Sequence, residues 1–234
     1  MSSRIIGMLP ASGSATRLNG LPKFLFPVND KTSLLEWHVN KMLQCCDEVR
    51  ISTREKWKPL IEDLNLNATI YYKEPSTMAD ALFSMNDSSD DTVVVGMPDV
   101  YIYDCNKNFY DEMLMSQGDV VLATWDYVPK RMKGQIGQVL TDDSSNVLSV
   151  VDKDPSCDYP LMWGAVTFRN GLDLIDLQGG SVLKDVNSWI EKGVSVTSVK
   201  MPGQYIDNGT FDGLSTMYYK IKLSSTYGSN EGSL

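Results

Sequence analysis

Histidine is almost absent: a chain of 234 residues contains one. That residue, His38, falls inside an amphipathic helical pattern and reads as packed or partly exposed rather than catalytic. Cysteine is scarce too, with four residues. Cys45, Cys46, Cys105 and Cys157 match no zinc-ligand spacing, and the adjacent pair Cys45 and Cys46 suits a reduced, buried helix face better than a disulfide framework. No apolar run is long enough to span a bilayer, and the amino terminus lacks the apolar core of a secretory signal. Secretion and membrane insertion are therefore not expected, and the expected location is cytoplasmic. Basic residues are outnumbered: 21 Lys and Arg against 30 Asp and Glu leave a formal net charge of −9. Nonspecific nucleic-acid binding needs a basic footprint, so that class of partner is excluded.

With 42% hydrophobic and 22% charged residues, the chain has the composition of an ordinary globular domain and the length to bury a sizeable core. Its hydrophobic pattern alternates between the two periodicities. Helical spacing over Ser33 to Cys46 opens on Ser33 as N-cap, with Glu36 three residues on. A short strand is expected at Val49 to Ile51, a helix at Glu55 to Leu64, a strand at Ala68 to Tyr72, a helix at Ser76 to Met85 and a buried strand at Thr92 to Gly96. Beyond these come a helix at Lys107 to Met115, strands at Val120 to Thr124, Gln135 to Leu140, Val147 to Val151 and Leu161 to Phe168, and helices at Leu172 to Leu177 and Val182 to Lys192. A strand at Val194 to Val199 and a helix at Phe211 to Leu223 complete the series, and the Ser- and Gly-rich stretch 224–234 is expected to be disordered. Alternating strands and helices imply right-handed crossovers and a mostly parallel sheet covered on both faces.

The first such crossover carries the chemistry. The apolar run Ile5 to Leu9 leads into Pro10, Ala11, Ser12, Gly13, Ser14 and Ala15, residues with little side-chain bulk, so successive backbone N–H groups can close around a polyphosphate. Arg17 adds a permanent forked cation and Lys23 a mobile point charge. A second candidate is Asp99, just after the apolar run Val93 to Val95, where ligands of open parallel sheets collect and a carboxylate can hold a hard cation.

Leu9, Ala11, Gly13, Thr16, Arg17, Leu18, Lys23, Pro27 and Val28 match in register the signature of the sugar-1-phosphate nucleotidyltransferases, and this stretch resembles that family. Ala15 departs from it, standing where the family usually has glycine, and Phe24 stands where it has proline. Further matches follow in family order. Glu74, Pro75, Ser76, Thr77, Met78 and Ala79 resemble the base-recognition turn, with Glu74 where Gln is frequent; a carboxylate only accepts hydrogen bonds and so suits an N–H edge such as cytosine N4 or guanine N1. Asp152 and Lys153 resemble the segment in which the lysine holds the sugar phosphate and the acid a sugar hydroxyl, although Asp152 is shorter than the family's Glu and Asp154 intervenes before Pro155. Gly137 and Gly164 stand where the family brings backbone close to the sugar. Tyr205 to Thr210 is similar to the motif whose aspartate joins the earlier one in binding Mg2+.

The resemblance implies a Rossmann-like α/β three-layer sandwich with a mostly parallel central sheet and a small antiparallel acceptor-binding subdomain. One domain would span residues 1–223, mainly nucleotide-binding over 1–125 and mainly acceptor-binding over 126–223. The implied activity is transfer of a nucleotidyl group from an NTP to a sugar 1-phosphate or similar phosphorylated acceptor, releasing pyrophosphate in nucleotide-sugar biosynthesis. Arg17 and Lys23 would be catalytic. Leu9, Ala11, Ser12, Gly13, Ser14, Ala15, Thr16, Glu74, Met78 and Ala79 would bind nucleotide; Gly137, Asp152, Lys153 and Gly164 would bind the acceptor; Asp99 and Asp207 would hold Mg2+. The reaction relies on positioning and charge neutralisation and needs no histidine. Two other readings stand beside it: a nucleotide-sensing homologue without activity, prompted by Ala15, and a metal-dependent glycosyltransferase, whose Asp-x-Asp is missing because Tyr101 follows Asp99 and Val100. Assembly into a homo-oligomer stays open.

Overall fold

A computed structural model describes residues 3–13, 16–87, 90–127, 134–169, 177, 180 and 182–227. Its centre is a nine-stranded sheet. Strand β1 (Ile5–Pro10) lies parallel between β4 (Glu48–Thr53) and β6 (Thr92–Gly96), and β5 (Thr69–Tyr72) continues the parallel run beside β4. On the other flank β11 (Leu161–Phe168) joins β6 and β8 (Val120–Asp126) in antiparallel fashion, while β12 (Val196–Lys200) runs parallel to β8. A hairpin-like pair, β9 (Gln138–Thr141) and β10 (Val147–Val151), attaches to the start of β11. Followed through these pairings, only β10 and β11 run against the other strands, so the sheet is mostly parallel.

Both faces of the sheet are covered because the strands are apolar on both sides, as parallel strands between helices must be. Ile6, Met8, Val93, Val95, Leu122 and Phe168 face a layer made by α3 (Met78–Met85) and α5 (Val182–Glu191). Leu9, Ile51, Val94, Val121 and Ala165 face the opposite layer, made by α1 (Leu34–Met42), α2 (Lys58–Asp63) and α4 (Phe109–Met115). The alternation along β1 and β6 between the two clusters is the two-residue period of a strand made visible. Burying each full apolar side chain contributes about 1.5–3 kcal/mol, so these two clusters dominate the stability.

Local signals govern the helix ends. Ser33 and Glu36 form the expected capping box, the Ser33 side chain accepting from the Glu36 N–H while the Glu36 carboxylate accepts from the Ser33 N–H at 2.7 Å. Helix α1 stops earlier than the apolar pattern predicts: the N–H groups of Cys45 and Cys46 both turn back to the Met42 carbonyl, closing the end before Cys46. Thr77 and Asp80 cap α3 in the same reciprocal way, so that helix starts after the predicted Ser76. The predicted helix from Glu55 begins as a 3-10 turn (Glu55–Trp57), and Pro59 sits in the first turn of α2, where its missing N–H leaves no gap. The last helix, α6 (Phe211–Tyr227), runs past Leu223 into the stretch expected to be disordered. The expected helix over Leu172 to Leu177 lies outside the described residues apart from Leu177, as do 228–234.

Two small antiparallel pairs were not expected from the pattern. β2 (Pro27–Asn29) and β3 (Thr32–Ser33) form one. The other joins β7 (Val100–Tyr103) to β13 (Gln204–Asp207), with Asp207 opposite Val100. This second ribbon matters most, because it carries the carboxyl end of β6 to a motif more than a hundred residues away in the chain.

Candidate active site

The ribbon of β7 and β13 brings Asp99 and Asp207 to one place. Asp99 directly precedes β7 and Asp207 ends β13; just past that pairing, the Asn208 N–H donates to the Asp99 carbonyl oxygen at 3.0 Å. His38 steadies the same turn from below. Its Nε2 lies 2.8 Å from the Val100 carbonyl oxygen, which can only accept, so Nε2 carries the proton and Nδ1 accepts from the Tyr110 hydroxyl at 2.7 Å. Burial lowers the His38 pKa to about 4, and the ring is neutral near pH 7. The lone histidine is a packed strut.

Two cations converge on the aspartates. Lys23 opens a 3-10 turn (Lys23–Leu25) and its Nζ pairs with Asp99 Oδ2 at 3.2 Å. Arg17, in the 3-10 turn Thr16–Leu18, reaches the same spot, and Gly209 is what lets it in. A Cβ on Gly209 would lie 2.7 Å from Asp207 Oδ1, 3.1 Å from Arg17 Nη2 and 3.3 Å from Lys23 Nζ. Only a residue without a side chain leaves room for two cations and a carboxylate at that distance. The Gly209 N–H also donates to Asp207 Oδ1 at 2.7 Å.

The balance at this point is incomplete. Burial, and then the negative charge of Asp99, raise the Asp207 carboxyl above its ordinary pKa, against the opposing effects of the Gly209 N–H, Lys23 and Arg17. A buried carboxyl beside a second carboxylate fits a hard cation that takes one or two protein carboxylates and completes its shell with water and phosphate oxygens, as Mg2+ does. Asp99 and Asp207 are the residues that could hold it. Among the described residues no cluster of three or more His, Cys, Asp or Glu exists that could hold a metal by itself.

A cavity of about 490 Å³ opens beside these groups. Ala11, Ser12, Gly13, Lys23, Met78, Asp99 and Lys153 line it, so these expected site residues meet around one space. Lys153 holds a backbone φ of 56°, a left-handed conformation that costs a non-glycine residue energy, and it lies at the end of the antiparallel strand β10. Ser14 and Ala15 lie outside the described residues, and of Thr16 only the backbone is described.

Other expected residues stand elsewhere. Leu9 and Ala79 are buried in the two cores. Asp152 is half-buried and is not among the groups lining the cavity. Gly164 has a packing reason for its identity, since a Cβ there would come within 2.3 Å of the Tyr205 ring and 2.6 Å of Trp125. Gly137 similarly lies against Leu183 and Trp163. Glu74 is largely exposed and is held by a residue that the sequence reading passed over. Arg54, at the end of β4, donates from Nε to the Ser12 carbonyl at 2.6 Å and from Nη1 to Glu74 Oε2 at 2.5 Å. Arg54, not Glu74, lines the cavity. No local pattern flags it: one arginine after a strand has no motif around it.

No family model matches the chain, and no curated protein sequence does. Solved structures nevertheless superpose over nearly its whole length, among them two of known description. One is described as a glucose-1-phosphate thymidylyltransferase from Bacillus anthracis, in complex with sucrose; it matches 93% of this chain over 95% of its own with 18% identity and a TM-score of 0.75. The other is a UDP-glucose pyrophosphorylase complexed with UDP-glucose, matching 97% of this chain over 99% of its own with 13% identity and a TM-score of 0.71. At such identities the likeness is one of architecture, and the chain has a sugar-1-phosphate nucleotidyltransferase-like fold.

Proposed function

We propose that the protein is a nucleotidyltransferase that moves an NMP group from an NTP to a sugar 1-phosphate or similar phosphorylated acceptor, giving an NDP-sugar and pyrophosphate. The observation that carries this reading is the convergence of Arg17, Lys23, Asp99 and Asp207 beside the cavity at the carboxyl ends of β1 and β6. The names of the two similar structures, one a thymidylyltransferase and one a pyrophosphorylase with its nucleotide sugar, support the same class.

In this reading the acceptor phosphate is the nucleophile. Its oxygen attacks the α-phosphorus in line, and the bond to the β-phosphate oxygen breaks to release pyrophosphate. Backbone N–H groups of the Ser12–Gly13 turn face the polyphosphate. Lys23 exchanges its Asp99 partner for the α-phosphate, and Arg17 neutralises the charge that builds on the leaving pyrophosphate. Lys153 holds the attacking phosphate from the opposite wall. Mg2+ on Asp99 and Asp207 would supply Lewis-acid charge at the reacting phosphates. Group transfer of this kind draws its rate from position and electrostatics, which matches a site rich in fixed charge.

The test is pyrophosphate release from a panel of NTPs against phosphorylated acceptors with Mg2+. Release with at least one pair is the expected result, and silence across the panel with NTP still bound would favour a sensor. Lys153→Ala should raise the acceptor KM at least about tenfold, the scale of a lost charge-assisted contact, while moving the NTP KM far less. Equal losses for both substrates would remove Lys153 from the acceptor side.

A further inference from the structure

We infer that Arg54 is the residue that reads the base, and that it selects an NTP whose base carries a carbonyl oxygen on its edge, so that ATP is the disfavoured donor. This rests on the nucleotidyl-transfer reading and goes beyond it by assigning a selectivity and the group responsible.

Three observations lead there. First, Arg54 lines the cavity, and its guanidinium is gripped at two points: Nε by the Ser12 carbonyl at 2.6 Å, Nη1 by Glu74 at 2.5 Å. A side chain with several rotatable bonds is thereby held in one place, with Nη2 free of any partner among the described residues. Second, Glu74 already balances the Arg54 charge. With Nε and Nη1 both taken, the guanidinium cannot present the paired donors of a bidentate phosphate clamp, while Nη2 still donates singly. Third, the same cavity is lined by Pro75, Ser76, Thr77, Met78 and Ala81, small and partly apolar residues that leave room for the face of a planar ring.

The selectivity follows from hydrogen-bond polarity. Guanidinium N–H groups donate and cannot accept, so the edge they meet must accept. Guanine, cytosine, uracil and thymine each present a carbonyl oxygen with two lone pairs; adenine presents an amino group and single ring nitrogens. Adenine's ring nitrogens can accept, but at the exocyclic position, where a carbonyl-bearing base offers oxygen, its amino group only donates, so a fixed donor aimed there disfavours ATP. Glu74 is a positioning residue in this scheme: it acts through Arg54, and its own oxygen faces the base only in second place.

The experiment compares kcat/KM for ATP, GTP, CTP, UTP and dTTP, with isothermal titration of each NTP in Mg2+ without acceptor as a readout independent of turnover. The wild-type protein should prefer at least one carbonyl-bearing NTP over ATP by about 100-fold or more. In Arg54→Ala that ratio should fall below about tenfold in both measurements, through loss with the carbonyl-bearing NTP. Arg54→Lys should keep part of the preference. Glu74→Ala should weaken it and Glu74→Gln, which keeps an acceptor oxygen for Arg54, should restore most of it. Thermal melting of each variant checks that the fold persists. The inference is overturned if ATP is the preferred donor, if the ratio survives in Arg54→Ala, or if Arg54→Ala weakens all NTPs and free pyrophosphate alike, which would make Arg54 a phosphate ligand. Those outcomes leave nucleotidyl transfer standing. Absence of binding by every NTP would overturn both readings.

Discussion

At the amino ends of β1, β4 and β6 lies a charged cluster that resembles the site at their carboxyl ends in composition and differs from it in every other respect. Arg50 is 1% exposed, and its guanidinium is forked between Glu48 and Asp87 with a further bond to the Met85 carbonyl at 2.7 Å. Arg4 reaches Asp91 at 2.7 Å and also lies near Glu48 and Asp87. Hydrogen bonds from Arg50, ahead of any other favourable effect, hold the Glu48 and Asp87 carboxyls below their ordinary pKa. At the carboxyl end Asp207 is pushed the other way, by burial and by Asp99. One cluster ties strand ends together around a guanidinium paired on both sides; the other gathers two carboxylates and two cations beside a cavity. Charged residues inside a protein carry no function by themselves: Glu48 and Asp87 are held low by the partner that completes them, whereas Asp207 is held high by burial and a like charge.

The largest expected effect falls at the site. Asp99→Asn and Asp207→Asn should each cut turnover about 100-fold or more, the scale of removing a charge-stabilising group at a transition state, without loss of thermal stability. Near-normal turnover in either variant would detach that residue from the chemistry. At the opposite end the effects should invert. Arg50→Ala should cost about 3 kcal/mol in urea unfolding, the low end for a broken buried ion pair because Glu48 and Asp87 can reach water. Its turnover per folded molecule should stay within about twofold of wild type, since no part of Arg50 touches the cavity. A large fall in turnover would mean the two ends are coupled through β4, whose end carries Arg54.

What could be read from the chain before its structure follows the reach of each signal. The capping box of Ser33 and Glu36, the strand patterns of β1 and β6 and the helical stretch of α3 are written within a few residues, and they were legible. The pairing of β7 with β13 was not, because Val100 to Tyr103 and Gln204 to Asp207 are four-residue strands too short to carry a period of their own, and their partners lie about a hundred residues apart in the chain. That ribbon turns two separately recognisable aspartates into one site. Arg54 was hidden for a related reason: its meaning comes from the Ser12 carbonyl and from Glu74, each about twenty or more positions away, and neither contact leaves a pattern in sequence. Gly164 carries two signals at once. The resemblance puts its backbone near the acceptor, and the Tyr205 and Trp125 rings leave no room for a Cβ there, a packing demand that the sequence does not display.

The smallest predicted effect is also the one that opposes the two ends most directly, because they should respond to pH with opposite sign. Glu48 and Asp87 bind protons less readily folded than unfolded, so the stability they contribute is present above the ordinary carboxylate pKa of about 4 and is lost as pH falls through their lowered folded values. Asp207 binds its proton more readily folded than unfolded; what it contributes is therefore fully present below about pH 4 and is lost as pH rises through its raised value, leaving a charge that costs stability near pH 7. Asparagine keeps the oxygen that accepts from Gly209 and removes that charge. Asp207→Asn should accordingly melt about 2–4 °C above wild type at pH 7 without divalent metal, a gain on the order of 1 kcal/mol, and the gap should close on acidification to about pH 3. The deficit of Arg50→Ala should shrink over the same range, since wild type loses what the variant already lacks. Adding Mg2+ at pH 7 should raise the wild-type melting temperature and leave Asp207→Asn nearly unmoved, because the ion supplies the balance that Asp207 and Asp99 need together. An Asp207→Asn variant that melts below wild type at pH 7 would place Asp207 with the scaffold charges after all, and the contrast between the two ends of the sheet would fail at its central residue.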